Sequence, residues 1–455
     1  MNPPDGLDPR RHQPFRFRTV AALRAAADSL GLDLPVAEDC GLLLRPLTVG
    51  RHTAPNRIAV QPMEGCDALS DGSPSDWTTE RYRRFADGGS GVIWFEATSV
   101  TQDGRANPRQ LVLSATTMPA FRRLVRSARE AARVASGSGH HPVLVLQLTH
   151  SGRYSRVRPG WIRRVACRNP YLDNAGEPLS IWRDEELDEL ADRFIAAAVL
   201  AREAGFDAVD IKACHGYLVH ELLAAHTRDD SRYGGPLANR SRFLLSVIGG
   251  VRRAAAGIDI AVRLSAADGV PYPYGFGTTP SGARSAGVSE PAELAARLAR
   301  EACAVINVTA GIPARTPHLG RPFNRNACGA PPPAEHPLVG VARLIGLAAE
   351  IQRAAGVVPV VGTGYSWLQQ FWPRVGAGVL QRGWAACIGV GRGAIAYPDA
   401  PRDLARTGSL EPRKCCVACS YCTDLMRADV PTGCVVRDRQ RYRPPAAPKR
   451  LEVAR

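Results

Sequence analysis

Hydrophobic positions along the chain fall into two alternating textures. Short, nearly unbroken runs of aliphatic and β-branched residues recur eight times: RIAVQPM (57–63), GVIWFEA (91–97), PVLVLQL (142–148), AVDIKAC (208–214), IDIAVRL (258–264), AVINVTA (304–310), VPVVGTG (358–364) and ACIGVGR (386–392). Between them lie Ala- and Arg-rich stretches such as ELDELADRFIAAAVLAREAG and PAELAARLAREA, where apolar residues return every three or four positions. Unbroken runs predict strands buried on both faces, and the longer spacing predicts helices that bury one stripe. An α/β fold follows, and eight strand–helix units are the count of a (β/α)8 TIM barrel. A doubly wound parallel sheet is the alternative arrangement. Ahead of the first run come a polar lead and one helical stretch, TVAALRAAADSL, stopping at Gly31. The expected organisation is an N-terminal extension (1–41), the barrel (42–405) and a cysteine-rich tail (406–455).

A barrel places its chemistry where strands end and βα loops begin. Those ends are polar here: Glu64, Glu96, Gln147 and His150, Lys212 and His215, Arg263, Thr309, and the glycine turns VGTG (361–364) and GVGR (389–392). Turns after strands seven and eight of a barrel commonly receive a phosphate, because glycine lets backbone N–H groups approach an anion; Arg392 adds a fork of donors. The bland alternative is a pair of tight turns. Two long loops, 268–287 and 311–337, are expected to be lids or substrate walls.

Charge changes the picture little. The formal net charge is +15, yet of 58 basic residues only Lys212, Lys414 and Lys449 are lysine, and the arginines are scattered. No basic stripe interleaved with aromatics exists, which argues against nucleic acid as a partner and leaves an acidic protein open. No run of about 18 apolar residues predicts a membrane span. No apolar stretch follows the N-terminal Arg pair, so no export signal is expected and a cytoplasmic location is. A homo-oligomer is possible.

Cysteine adds more. Seven of the twelve are spread singly, while Cys415, Cys416, Cys419, Cys422 and Cys434 crowd together. Three thiols within seven residues plus one distant fit the corners of a [4Fe–4S] cubane, with Cys416, Cys419, Cys422 and Cys434 as ligands and Cys415 spare. Structural zinc, which usually shows two separated C-x2-C knuckles, and free thiols remain alternatives.

NRIAVQPM, QLTHSGR, HGYLVHELL followed by RYGGPLANRSRF, AVRLSAAD, and GTG…GVGR occur in an order that resembles the Old Yellow Enzyme family. The tail resembles its iron–sulfur branch, which includes 2,4-dienoyl-CoA reductase and trimethylamine dehydrogenase. The likeness runs from about residue 42 to 438. It implies an FMN-dependent oxidoreductase. Pro62, Met63, Glu64 and Ala97 would flank the flavin. Gln147 and Arg263 would hold its pyrimidine edge, and Gly362, Gly364, Gly391 and Arg392 its phosphate. His215 would orient substrate, and Tyr217 would give a proton to the α-carbon after hydride reaches the β-carbon.

The chain departs from the family in places. Lys212 stands where many relatives have His; it would bind a carboxylate or polarise a carbonyl, or else form a buried salt bridge to Asp210 or Glu96. Glu64 replaces the usual Thr or Cys, which removes a covalent flavin anchor and should lower the flavin potential, unless Glu64 pairs with Lys212. The stretch DDSRYGG also differs from the usual Arg-x-Asp-x-Tyr-Gly-Gly. No GxGxxG follows a strand near the C-terminus, so electrons are expected from docked NAD(P)H or, through the cluster, from a ferredoxin-like or flavoprotein partner.

The reading that follows is an enzyme reducing an activated C=C bond. Its rivals are an amine-type dehydrogenase passing electrons outward through the cluster, a Schiff-base lyase using Lys212, and a non-enzymatic binding protein.

Overall fold

A computed structural model describes residues 7–156, 162–280 and 288–443. The end of the 268–287 loop and both termini of the expected extension and tail lie outside these residues.

All eight apolar runs form strands: β1 (Ile58–Val60), β2 (Val92–Ser99), β3 (Val143–Thr149), β4 (Ala208–Ile211), β5 (Asp259–Ser265), β6 (Val305–Thr309), β7 (Val360–Gly362) and β8 (Cys387–Val390). Each pairs in parallel with its sequence neighbours, and β8 returns to β1 with Ile388 opposite Ile58 and Val390 opposite Val60. The sheet is therefore a closed barrel rather than an open doubly wound sheet. The intervening stretches are helical, among them Asp76–Asp87, Met118–Ser136, Asp184–Ala204, Arg242–Ala254, Ser289–Arg300 and Pro337–Ala355. Their apolar stripes pack on the outward residues of the strands, such as Ile93, Phe95, Leu144 and Leu146.

Inside the barrel the alternate residues are small or aliphatic near the N-terminal ends: Ala59, Val92, Val143, Val145, Ala208, Ala261, Val305 and Val361. A hairpin that the hydrophobic pattern does not announce, Leu47–Val49 paired with His52–Ala54, adds Leu47, Val49 and Ala54 to this cluster and closes that mouth. Arg51 fixes it by donating to Asp259 and to the Ile258 carbonyl. One register shift interrupts the ring. Phe95 faces Leu146 but Thr98 faces Leu148, so β2 carries one extra residue at Glu96–Ala97. Such bulges re-aim side chains, and Glu96 meets Arg81 and Tyr82 of the preceding helix.

The N-terminal helix, Val20–Ser29, is capped by Thr19 and buries Leu23, Ala26 and Ala27 in a cluster with Trp367, Val375 and Ala377 on the flank near β7 and β8. The tail crosses the opposite mouth, where the strands end. Asn324 binds the Val417 carbonyl, Asn324 N–H binds the Ala418 carbonyl, and Thr432 N–H binds the Gly65 carbonyl.

Candidate functional site

Where the strands end, the same inward alternation that is apolar below turns polar. Asp210 is fully buried and accepts from Trp94 Nε1 (2.8 Å), Gln147 Nε2 (2.6 Å) and the Arg263 backbone N–H (2.6 Å). Burial raises its pKa, and the three donors oppose that. Gln147 therefore spends its amide N–H on the barrel itself. The Arg263 guanidinium is different. It is buried, donates weakly to the Pro62 carbonyl at 3.4 Å, leaves Nε without a partner, and forms no ion pair among the described residues. Beside it in the polar layer, Asn307 Nδ2 donates to Gln61 Oε1 at 2.8 Å, leaving Gln61 Nε2 and Asn307 Oδ1 unpartnered. A buried donor or acceptor left alone costs about 1–3 kcal/mol. Three of them, on the ends of β1, β5 and β6, match the alternating donors and acceptors of a heterocycle's polar edge. Sequence reading named Gln147 and Arg263 here but not Gln61 or Asn307.

A second group of unused donors lies after β6 and β8. Arg392 is buried, donates one Nη to the Pro322 carbonyl at 2.5 Å and leaves the other free. Arg321 donates to Ser420 Oγ at 3.3 Å and leaves Nη2 free. Burial, then the charge of Arg392, brings the Arg321 pKa down to about 9. Neither arginine has a carboxylate partner among the described residues. A buried cation and a half-buried one that repel each other are costly unless an anion lies between them. The glycines have simpler reasons. Gly364 takes φ +98°, and a Cβ on Gly362 would stand 2.9 Å from the Tyr365 hydroxyl. A Cβ on Gly391 would come 3.1 Å from Met63 Sδ, so this turn and the β1 end touch closely.

The third group is reactive in character. Tyr217 donates its hydroxyl to Glu64 Oε1 at 2.6 Å. Lys212 Nζ lies 3.1 Å from the centre of the Tyr217 ring and 4.0 Å from the same Glu64 oxygen. Of the partners weighed for Lys212, the structure thus gives Glu64 and neither Asp210 nor Glu96. Asp210 is saturated by three donors, and the bulge turns Glu96 toward Arg81 (2.6 Å) and Gly65 N–H (2.6 Å). Burial lowers the Lys212 pKa, with Glu64 opposing; burial and Glu64 together push the Tyr217 phenol well above 10. His215 occupies left-handed backbone at φ +64°, and its Nε2 meets Thr309 Oγ1 at 3.1 Å. Burial holds its pKa well below 6.5, so the ring is neutral. The turn is tied from behind, since Gly216 N–H donates to His220 Nδ1 at 2.8 Å and His220 Nε2 faces Asp268 at 3.9 Å. The two long loops join there as well, through Thr316 Oγ1 to the Asp268 carbonyl.

The tail brings Cys416, Cys419, Cys422 and Cys434 to one region. Arg392 draws down the thiols of Cys416 and Cys422, while burial, the larger effect, raises Cys416 to about 12 and raises Cys422 and Cys434. Backbone N–H groups of Ala418 and Arg437 point at Cys416 Sγ and Cys434 Sγ, each at 3.4 Å. Buried Asp424 clamps the segment by accepting from Cys328 N–H and Arg325. Cys415 turns away and donates to the Glu411 carbonyl. Among the described residues no three His, Cys, Asp or Glu are grouped to hold a single metal ion.

The NADPH dehydrogenase of Listeria monocytogenes serotype 4a (strain HCC23) is 35% identical over 220 residues, 48% of this chain and 61% of that protein. The NADPH dehydrogenase of Geobacillus sp. (strain WCH70) is 33% identical over 231 residues, 50% of this chain and 64% of that one. The chain thus spans less than two thirds of the curated relatives it matches. Among solved structures, a 2-naphthoyl-CoA reductase complex superposes with TM-score 0.71 at 20% identity, covering 88% of this chain and 57% of the other. Histamine dehydrogenase from Rhizobium sp. 4-9 gives 0.70 at 22%, covering 90% and 55%. An old yellow enzyme homologue from Zymomonas mobilis gives 0.60 at 24%, covering 81% and 94%. At these identities the superpositions speak for the barrel alone. Residues 42–312 match the NADH:flavin oxidoreductase / NADH oxidase family, to which the chain belongs.

Proposed function

We propose that the protein is an FMN-dependent oxidoreductase that reduces an activated C=C bond, with an NAD(P)H-type donor and a [4Fe–4S] cluster on its tail. One observation carries the reading: unused buried guanidinium N–H groups stand at two separate places on the strand ends, Arg263 at one and Arg321 with Arg392 at the other. A flavin mononucleotide has a polar heterocyclic edge and a phosphate, and it satisfies both. Arg263, Gln61, Asn307 and Gln147 would meet the ring edge, with Pro62, Met63, Glu64 and Ala97 beside it. Arg392 and Arg321, with the turns at Gly362, Gly364 and Gly391, would meet the phosphate. When bound, FMN supplies hydride transfer.

The chain's own part is to bind, orient and move a proton. Neutral His215, with Thr309, and the Lys212 ammonium are positioned to orient a carbonyl oxygen, and Tyr217 is the proton donor. The amine-type dehydrogenase reading draws support from Tyr217 already donating to a carboxylate, to which it would pass its own proton as its oxygen takes one from substrate. Family membership weighs against the Schiff-base lyase and the non-enzymatic binding protein.

Cys416, Cys419, Cys422 and Cys434 would ligate the cluster. The region's basic residues suit an acidic ferredoxin-like or flavoprotein partner. The four thiols lack the convergence that one zinc ion imposes, and a cubane, with one iron per thiolate, does not demand it. Anaerobically purified protein should contain about one FMN and about four irons per chain. Zinc in place of iron, or no flavin after reconstitution, overturns the assignment.

A further inference from the structure

We infer that Glu64 is a proton relay behind Tyr217, carrying protons between solvent and the phenol while Lys212 balances the charge of the pair. This rests on the proposed role of Tyr217 as the group that exchanges a proton with substrate.

Three contacts support it. The Tyr217 hydroxyl meets Glu64 Oε1 at 2.6 Å, its one hydrogen-bond partner among the described residues. Lys212 Nζ sits 3.1 Å over the phenol ring and 4.0 Å from that oxygen, so one ammonium serves both groups. The Glu64 side chain is 16% exposed and that of Lys212 4%, so Glu64 is the more open toward water. The alternatives are poorer. His215 is neutral and engaged with Thr309. The other ionisable groups facing Tyr217 are the buried thiols of Cys214 and Cys66 and the Tyr154 phenol, whose ring centre lies 6.0 Å away. Those facing Lys212 are Glu64, Cys214, Arg263 and Asp210. Asp210 is held by three donors, and Arg263 has no proton to spare.

The need for a relay is electrostatic. If Tyr217 released its proton while Glu64 remained a carboxylate, a phenolate would face a carboxylate at hydrogen-bond distance. The step balances only when the two protons move together. The Glu64 O–H bond breaks as a new Tyr217 O–H bond forms, and the original Tyr217 O–H bond breaks as substrate gains its proton. The product state is the arrangement observed, with neutral Tyr217 donating to a Glu64 carboxylate paired with Lys212. Water then reprotonates Glu64. Run backwards, Tyr217 accepts a substrate proton and hands its own to Glu64. Glu64 protonated is the state that gives a proton; Glu64 ionised is the state that takes one.

The test uses Glu64→Gln, which keeps an acceptor but cannot carry the proton, and Glu64→Asp, which can. In flavin-free protein, phenolate absorbance corrected with Tyr217→Phe reports Tyr217 directly. Removing the carboxylate charge should let the phenol ionise at lower pH in Glu64→Gln than in wild type. In the loaded enzyme with its flavin already reduced, Glu64→Gln should slow alkene reduction on the order of 10²-fold and abolish the pH dependence of that step; Glu64→Asp should restore much of both. An unmoved phenol titration together with a wild-type pH profile in Glu64→Gln overturns the relay. Failure to bind flavin would instead sink the cofactor reading, and the flavin-free titration would still decide whether Glu64 and Tyr217 are coupled.

Discussion

Arg321 shows what a single residue reveals that the sequence does not. It sits in the loop segment HLGRPFNRN with no motif around it, one arginine among many. Its meaning comes from lying half-buried beside Arg392 with a shielded N–H unused. Charged hydrogen bonds contribute about 1.5–3 kcal/mol, so Arg321→Ala should weaken FMN binding by about 10- to 100-fold, read as flavin fluorescence during titration of flavin-free protein. Unchanged affinity would remove Arg321 from the phosphate site. Other residues were legible by type but not by partner. Lys212 stood out as a rare lysine at a strand end. Glu64, Asp210 and Glu96 were all offered by the sequence as its partner, and the choice of Glu64 over Asp210 needed to be seen, because donors from β2, β3 and β5 converge on Asp210.

At the scale of elements, the eight strands were readable because each is buried on both faces and so is written in unbroken aliphatic residues. The hairpin at 47–54 was missed because three-residue strands carry too little pattern, although Gly50 at φ +57° marks its turn. The β2 bulge was invisible because a register shift is a property of two strands.

Two turns at the site share a device with a pH signature. His150 Nδ1 accepts from Gly152 N–H at 3.1 Å, and His220 Nδ1 accepts from Gly216 N–H. Burial lowers the two rings to about 4 and about 3. Both bind a proton less readily folded than unfolded, so their stabilisation is complete above the unfolded value of 6.5 and is lost as pH falls through 6.5 toward the folded values. At pH 5 each should cost about 2 kcal/mol relative to pH 7. Tm should therefore fall between pH 7 and 4, and His150→Asn or His220→Asn should flatten that fall. An unaltered slope in both variants would show that these rings do not set it.

For the whole molecule, the barrel followed from counting units, and the Cys spacing pointed to a tail with its own chemistry. What the count could not supply is where that tail lies: against the Arg392 turn and the loops after β1 and β6, on the face where the strand ends gather. With the proposed cluster bound there, that placement would make it a port for single electrons between the site and a partner. Cys419→Ser, provided it still binds FMN, should lose activity with a reduced ferredoxin-like partner, and wild-type coupling should weaken as salt rises. Wild-type turnover of that variant with NAD(P)H alone would mean the tail serves structure only.

The return of β8 to β1 has a consequence for how the protein is made. Ile58 cannot meet Ile388 until nearly the whole barrel has left the ribosome, so β1 waits through most of synthesis with one edge unpaired. Such long-range closure slows folding and exposes the waiting edge to other chains. The hairpin at 47–54 emerges just before β1, but its anchor, Asp259, comes some two hundred residues later. Nascent chains arrested before β8 should therefore depend on chaperones, and the competence to hold a cofactor arrives only with the last strand and the segment that follows it.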